Sequence, residues 1–208
     1  MIQTTRSLKV STDSLIFHFT KSTLILQSII LCVLFTGCMQ KDHQEDSVEK
    51  YLAILRENPS APLPPQKESE ALDRIKTFLS NLREDYILNH ASKVYTPDAF
   101  FNDTLKTVIG AKNIENYLLE TARNTDEIRV EILDTSSSGA DYYLRWVMDV
   151  KFKKFHRGRS FRTIGITHIR FSQDGLVSLH QDYWDSARGL YEQIPILGSG
   201  IRAIRRMF

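Results

Sequence analysis

The chain has 208 residues, of which 42% are hydrophobic and 25% charged, so it can fold into one globular domain with extensions and is not disordered throughout. Three basic residues and one acidic residue fall within the first 38 positions, and the remainder is formally neutral. Nucleic acid is excluded as a partner, because no basic excess is left to neutralise phosphates. Both cysteines, Cys32 and Cys38, lie near the N-terminus. Everything after Cys38 therefore lacks a disulfide, a cysteine metal site and a thiol nucleophile.

Residues 1–38 are predicted to be a targeting segment. A weakly basic start ends at Lys21, and the apolar run that follows, over 24–35, is shorter than the roughly 20 residues of a membrane-spanning helix and matches a signal-peptide core. The small residues before Cys38 resemble a bacterial lipoprotein signal, in which that cysteine is acylated. An uncleaved N-terminal anchor is the alternative. Both predict an exported, membrane-anchored protein, and Met39 in place of an aspartate favours the periplasmic side of a Gram-negative outer membrane.

Residues 39–67 are predicted to be a flexible tether. Charged residues dominate 41–50, and the proline-rich stretch 58–65 cannot continue a helix. Such a tether would span roughly 30 Å root-mean-square. The folded domain, with a C-terminal helical extension, is predicted over 68–208.

The first half of the domain has helical periodicity. Apolar residues predict one long amphipathic helix over 69–89, and a second helix ends near Asn124. A short strand over 99–104 lies between them. From Ile128 onward the apolar residues alternate, and short turns such as Asp174-Gly175 predict an antiparallel meander. Two helices followed by a meander predict an α+β domain with the helices on one face of the sheet.

The last predicted strand, 176–185, carries the residues of greatest interest. Alternation places His180, Asp182 and Trp184 on one face, where they could line a small-molecule pocket. A third helical segment is predicted over 187–193, interrupted by Pro195 and by the glycines at 198 and 200. The basic end, 201–208, is expected to form a short charged helix docked on the domain, with an anionic membrane surface as the alternative.

Several of these patterns, in this order, resemble the SnoaL-like branch of the nuclear transport factor 2-like superfamily. They are Phe100-Phe-Asn-Asp-Thr104, Gly110 before the second helix, Ile169-Arg-Phe171 before Asp174-Gly175, and Asp182-Tyr-Trp-Asp185. The resemblance covers about residues 69–193. It implies a cone: a curved antiparallel sheet wrapped around a long N-terminal helix, with an apolar pocket open at one end. Members include ketosteroid isomerases, polyketide cyclases and non-catalytic proteins, and many pair through the outer sheet face, so a homodimer is a candidate assembly.

The resemblance also implies roles for single residues. Asp103 stands where the isomerases carry their general base. Phe78 and Thr167 stand where those enzymes have oxyanion-hole donors, and phenylalanine cannot donate a hydrogen bond. The isomerase mechanism is therefore expected to be absent.

The cyclases imply a second set of roles. They use a pocket aspartate on the last strand, which corresponds to Asp182, and a pocket histidine for which His168 is a candidate. Because neighbouring strand residues face opposite sides, an inward Thr167 leaves His168 outward. We therefore prefer His180 as the pocket imidazole.

The predicted site combines catalytic candidates with an apolar ligand-binding surface. The catalytic candidates are Asp103, Asp182 and His180. The ligand-binding candidates are Phe78, Phe101, Trp146, Met148, Thr167 and Trp184. Structural alternatives stay open: Asp103 as a turn cap, His180 with Asp182 as a pair that closes the fold, and the aromatic residues as core. No third ligand is placed to complete a metal site, and no cofactor is predicted.

Three functions follow from these residues. The favoured one is an envelope lipoprotein that binds a small, largely apolar molecule in a conical pocket. The second is a cyclase, isomerase or hydratase that uses Asp103 or Asp182 as general base, without metal. The third is a non-catalytic protein-interaction module that uses the outer sheet face.

Overall fold

The computed structural model describes residues 47–57, 61–154 and 160–208. Their helices are α1 Ser47–Glu57, α2 Pro65–Leu79, α3 Glu84–Val94, α4 Ala111–Arg123, α5 Ser186–Gly189 and α6 Leu197–Arg205, with a 3-10 turn over Tyr191–Gln193. Their strands are β1 Tyr95–Asn102, β2 Thr107–Ile109, β3 Thr125–Ser138, β4 Asp141–Phe152, β5 Phe161–Phe171 and β6 Val177–Trp184. The predicted targeting segment, including Cys38, lies outside the described residues.

The six strands form one curved, open sheet in the order β2-β1-β6-β5-β4-β3. From β3 to β6 the strands pair antiparallel in sequence order, which confirms the predicted meander and the α+β fold class. The pairing of β1 was not predicted: it runs parallel to β6, with Asn102 opposite Gln181. This pairing brings the end of the first long strand beside the last strand.

The predicted long helix over 69–89 is wrong in its continuity. Two helices, α2 and α3, are separated by residues 80–83. The side-chain amide of Asn81 donates to the carbonyl of Thr77 at 2.8 Å, and the amide of Ser80 donates to the carbonyl of Lys76. The Ser80 bond still follows the helical pattern, whereas the Asn81 side chain occupies the Thr77 carbonyl that a backbone amide of a continuing helix would use, so α2 ends there. The break lets both helices bury their apolar faces: Ala71, Ile75 and Phe78 in α2, and Ile87, Ala91 and Val94 in α3.

The tether predicted over 39–67 is too long. Within it, α1 is a helix held on the domain, where the hydroxyl of Tyr51 lies 2.9 Å from Nδ1 of His168. Leu63 is buried in the core, and Pro65 begins α2, where its fixed φ suits a first helical position. The rest of the predicted tether, 39–46 and 58–60, lies outside the described residues.

The C-terminal segment differs from its prediction in two ways. The helix expected over 187–193 is a single turn, α5, followed by the 3-10 turn, and the glycines at 198 and 200 lie inside α6 instead of interrupting it. A Cβ on Gly198 would lie 2.1 Å from the carbonyl oxygen of Glu192, so glycine allows α6 to approach the preceding turn. In the part of the chain that the structure describes, no helix is both long and apolar enough to cross a bilayer.

Candidate functional site

A cavity of about 170 Å³ lies between the inner face of the sheet and helices α2 and α4. All three catalytic candidates, Asp103, His180 and Asp182, line it. The ligand-binding candidates that line it are Phe101, Trp146, Met148, Thr167 and Trp184. Because alternate residues of a strand face the same side, β6 contributes three of these side chains from consecutive inward positions.

Two candidates lie elsewhere. Phe78 is fully buried in the core, where its ring packs against Tyr95 and Tyr86 at centroid distances of 5.8 and 6.4 Å. The predicted position of Phe78 on the ligand-binding surface is therefore wrong. The break after α2 lets α3 pack over this side chain, which removes it from the cavity wall. His168 lies on the opposite face of β5 from Thr167 and bonds to Asp141 and Tyr51.

Two chains of hydrogen bonds converge on one oxygen of Asp182. Thr167 Oγ1 donates to Asp182 Oδ1 at 2.6 Å, and Trp146 Nε1 donates to Thr167 Oγ1 at 2.8 Å. His180 Nε2 lies 3.0 Å from the same carboxylate oxygen, and Tyr95 OH lies 3.1 Å from His180 Nδ1. A carboxylate only accepts, so His180 donates through Nε2, and its Nδ1 faces the Tyr95 hydroxyl.

The other oxygen of Asp182, Oδ2, receives no hydrogen bond from the residues that the structure describes. The side chain is 16% exposed and lines the cavity. Burial raises the pKa of Tyr95 well above its usual range, with the charge of Asp182 as a further cause, so the tyrosine stays a donor. The network thus fixes one carboxylate oxygen and leaves the second without a donor among the described residues.

Asp103 is held at the turn that follows β1. Its Oδ1 accepts the backbone amides of Leu105 and Lys106 at 3.0 and 2.9 Å, and its Oδ2 accepts the hydroxyl of Tyr117 from α4. Trp184 Nε1 donates to the backbone carbonyl of Asp103 at 2.7 Å. Asp103 therefore has both predicted positions: its Oδ1 caps the turn, and its carboxyl group lines the cavity.

The surroundings of Asp103 change its protonation. Burial raises the pKa of its carboxyl, the bonds from Tyr117 and from two backbone amides oppose that rise, and the nearby charge of Asp182 adds to it. The pKa of Tyr117 is raised far above its usual range, first by burial and then by the charge of Asp103. Tyr117 therefore remains a hydroxyl donor, and Asp103 is a carboxyl that gains a proton more readily than one in water.

The charge of the cavity is one-sided. Of the residues that line it, two are carboxylates and none is lysine or arginine. An anionic ligand would meet repulsion without a counter-charge, so the cavity suits a neutral or a cationic molecule. Across the described ranges, no three His, Cys, Asp or Glu side chains are grouped as a metal site would require.

Three residues of the site were missed by sequence reasoning. Tyr95 and Tyr117 supply the hydroxyls that orient His180 and Asp103. Tyr117 lies on the helix that was predicted to end near Asn124, and the available signal was its hydroxyl, which needs a partner when buried. Gly165 faces inward on β5, where a Cβ would lie 2.4 Å from the ring of Trp146. A glycine inside a strand of alternating residues was the signal for such a close approach.

The curved sheet, the helices packed over its inner face and the cavity between them define a protein of the nuclear transport factor 2-like class. The family model of the SnoaL-like domain matches residues 60–180, which is more than half of the chain. This chain therefore belongs to the SnoaL-like domain family. No curated protein matches the chain.

Solved structures share the fold at low sequence identity. An LEH-like epoxide hydrolase of M. tuberculosis is 15% identical with a TM-score of 0.51, covering 68% of this chain and 99% of its own. A Catenulispora acidiphila protein with a ketosteroid isomerase-like fold, solved with trimethylamine, is 15% identical with a TM-score of 0.51, covering 60% and 92%. A Jannaschia protein assigned as a SnoaL-like polyketide cyclase is 12% identical with a TM-score of 0.50, covering 61% and 96%. These likenesses concern the fold.

Proposed function

We propose that this chain is a cell-envelope lipoprotein whose SnoaL-like domain binds a small, largely apolar molecule in its cavity. The observation that carries the proposal is the composition of the wall. The rings of Phe101, Trp146 and Trp184 and the side chain of Met148 surround the space, while the polar groups are concentrated at Asp103 and at the Asp182 network. Binding pockets for small molecules combine an apolar lining with a few placed polar groups in this way.

The polar groups restrict the ligand further. Asp182 Oδ2 is an acceptor without a hydrogen-bond donor among the described residues, so the ligand offers an O–H or N–H group to it. The two carboxylates disfavour an acid. The proposed ligand is therefore a mostly hydrocarbon, uncharged or cationic molecule with one hydrogen-bond donor.

The test uses the chain purified from its native host. Small molecules are extracted and identified by mass spectrometry, and the identified compound is titrated back while tryptophan fluorescence is followed. The chain has two tryptophans and both line the cavity, so fluorescence reports on this site. We expect a reproducible ligand whose affinity falls by roughly tenfold in Asp182→Asn, the loss of one hydrogen bond to a charged group. Asp149→Asn is the matched control, because Asp149 pairs with Arg162 on the other sheet face. An empty cavity, or equal loss in both variants, contradicts the proposal.

Acid–base catalysis is the second candidate, and a specific observation favours it. Asp103 and Asp182 face one cavity, and the raised pKa of Asp103 makes it a stronger base than an ordinary carboxylate. A second observation makes catalysis less favoured than binding. The hydroxyls of Tyr117 and Thr167 already donate to these carboxylates, so neither is available to stabilise an anion that forms on a substrate.

The two functions separate through amide variants. In Asp103→Asn the shape of the side chain is kept and proton transfer is removed. Loss of turnover of the extracted compound, with its affinity retained, would establish catalysis. Binding that is retained in Asp103→Asn and roughly tenfold weaker in Asp182→Asn, with no turnover in the parent chain or in either variant, would leave binding as the function.

The envelope location is tested at Cys38. The sequence pattern before this residue supports acylation, so Cys38→Ala is expected to abolish metabolic labelling with palmitate. Cys32→Ala is the matched control, because Cys32 lies within the apolar run and outside the pattern. Unchanged labelling of Cys38→Ala would remove the lipoprotein assignment and leave the ligand proposal intact.

A further inference from the structure

Helix α6 exposes apolar side chains that a soluble surface helix would bury. Leu197, Ile201 and Ile204 share one face because they are spaced by four and three residues, with Ile201 half-buried between the other two. Met207 and Phe208 lie two and three residues beyond the end of the helix. Ile204 is 57% exposed, Met207 79%, and Phe208 fully exposed. An exposed apolar patch at one end of a domain marks an interaction surface.

The opposite face of α6 attaches the helix to the domain. Arg202 Nη1 donates to the carbonyl oxygen of Glu192 at 3.0 Å, and the guanidinium of Arg205 pairs with the Glu192 carboxylate. Gly198 lies on this side, at the close approach to Glu192. A helix usually packs its apolar face inward. In α6 the side with Arg202 and Arg205 is turned to the domain, while Leu197 and Ile204 are exposed.

The position of α6 connects this surface with the cavity. Gly189 and Leu190 line the cavity, and the 3-10 turn that carries Glu192 follows them directly. Since α6 is bonded back to Glu192, it is held to the chain segment that continues from the cavity wall.

The charge of the segment indicates its partner. After Glu192 the sequence contains Arg202, Arg205 and Arg206 and no acidic side chain. A helix with this basic excess that also exposes apolar side chains matches the headgroups and acyl chains of an anionic lipid surface. A second copy of the chain fits less well, because a helix roughly 13 Å long offers far less than the roughly 1,200 Å² of a stable interface.

We propose that α6 lies on an anionic lipid bilayer, with its apolar stripe in the headgroup region, and places residues 189–190 of the cavity wall next to the lipid phase. An apolar ligand would then enter from the bilayer. Only this route of entry rests on the proposed function, since the contact itself requires neither a ligand nor acylation of Cys38.

The test measures, by fluorescence, whether α6 itself contacts lipid. The full chain carries Cys32→Ser and Cys38→Ser, and one cysteine is introduced by Gly200→Cys and labelled with an environment-sensitive fluorophore. Gly200 lies inside α6, and a Cβ there meets no atom within 4 Å. Ser137→Cys, exposed on β3, is the control position. The labelled chains are mixed with vesicles of phosphatidylcholine alone or with about one third phosphatidylglycerol.

We expect a blue shift at position 200 with the anionic vesicles, a much smaller one with the neutral vesicles, and none at position 137. Arg206→Glu should lower the affinity for anionic vesicles by roughly tenfold, because each basic residue near such a surface contributes about fivefold and the reversal adds repulsion. Arg206→Lys should keep it. Ile204→Ser should weaken binding, whereas Ala203→Ser, one position away on the helix, should not.

Three results would overturn the proposal. Equal shifts with both vesicle types, or no effect of Arg206→Glu, would remove the electrostatic contact. No shift with any vesicle would remove the lipid contact altogether. A shift that appears without vesicles, rises with protein concentration and disappears in Ile204→Ser would assign the stripe to a second copy of the chain. None of these results would bear on the proposal that the cavity binds a ligand.

Discussion

Thr104 adopts a left-handed backbone conformation, with φ of 72°, beside the cavity carboxyl group of Asp103. Its amide donates to Asn102 Oδ1 at 2.7 Å, within the turn whose next two amides bind Asp103. A β-branched residue is unfavourable in this conformation, while asparagine tolerates it. The turn therefore orients Asp103 at the expense of backbone strain, as functional sites often do.

Thr104→Asn should relieve this strain. We expect the free energy of unfolding to rise by about 1 kcal/mol, measured by urea denaturation. Thr104→Val keeps the branched shape and is the matched control, for which no gain is expected. A gain in both variants, or in neither, would show that the backbone at Thr104 is not strained.

The pH dependence of stability tests the environment of Asp103. Burial raises its pKa in the folded protein above the ordinary 3.8, so the folded state holds the proton more tightly than the unfolded chain does. The resulting stabilisation is complete below pH 3.8 and is lost as the pH rises through the folded pKa. Asp103→Asn cannot ionise and lacks this loss. Between pH 4 and 7, the free energy of unfolding of Asp103→Asn should therefore rise relative to that of the parent chain.

Ser137→Ala, which replaces an exposed side chain that does not ionise, is the control for that measurement and should keep a constant difference from the parent chain over the same range. A difference for Asp103→Asn that is equally constant would mean that this carboxyl group is solvated like one in water.

At the scale of the element, Gly165 shows how β5 makes room for the cavity wall. A Cβ at this position would lie 2.4 Å from Trp146 and 2.8 Å from Trp184. Gly165→Ala should push the indole of Trp146 out of place, lower the free energy of unfolding by about 1–3 kcal/mol and change the tryptophan fluorescence. Gly139→Ala is a poor control because its φ is 61°, whereas Gly200→Ala has open space at an ordinary φ and should leave the fluorescence unchanged. An unaltered spectrum in Gly165→Ala would contradict this packing.

Helix α1 is held through a buried imidazole. Tyr51 bonds to Nδ1 of His168, whose Nε2 lies 2.6 Å from Asp141 Oδ1. Burial lowers the pKa of His168, with an opposing effect of Asp141, so a neutral ring accepts the Tyr51 hydroxyl. Tyr51→Phe should cost about 1 kcal/mol and speed amide hydrogen exchange in α1 alone. Tyr191→Phe, in the 3-10 turn, should leave that exchange unchanged. Unaltered exchange in Tyr51→Phe would mean that other contacts hold α1.

The elements that alternation or helical spacing defines were predictable from sequence. The meander from β3 to β6 and the helix ending near Asn124 depend on local periodicity, and the inward positions of His180, Asp182 and Trp184 follow from strand parity. The break after Leu79 depends on side-chain bonds of Asn81 to the backbone, which compete with a continuous apolar stripe. The parallel partner of β1 and the tyrosine partners of His180 and Asp103 depend on long-range contacts, which no local pattern contains.

At the scale of the molecule, the face opposite the cavity has its own apolar surface. Ile164, Ile166 and Tyr183 are 64%, 41% and 48% exposed there. We expect the chain to form a homodimer through this face, with twice the monomer mass in light scattering. Ile164→Glu should give the monomer, because it would bury an unpaired charge in the interface, whereas Ile164→Val should not. A monomeric parent chain would contradict the expectation, and ligand binding should be the same in all three proteins.

The parallel pair of β1 and β6 also has a consequence for folding. Asn102 and Gln181, which face each other across it, are 79 positions apart in the chain. Closing a loop of this length is entropically slow, so contacts between neighbouring elements should form before this pair does. The carboxyl groups of Asp103 and Asp182, which directly follow these residues, meet only in that late step. During synthesis or export, the cavity therefore comes into being after the last strand has emerged, and any chain shortened before Val177 would contain most of the fold without its site.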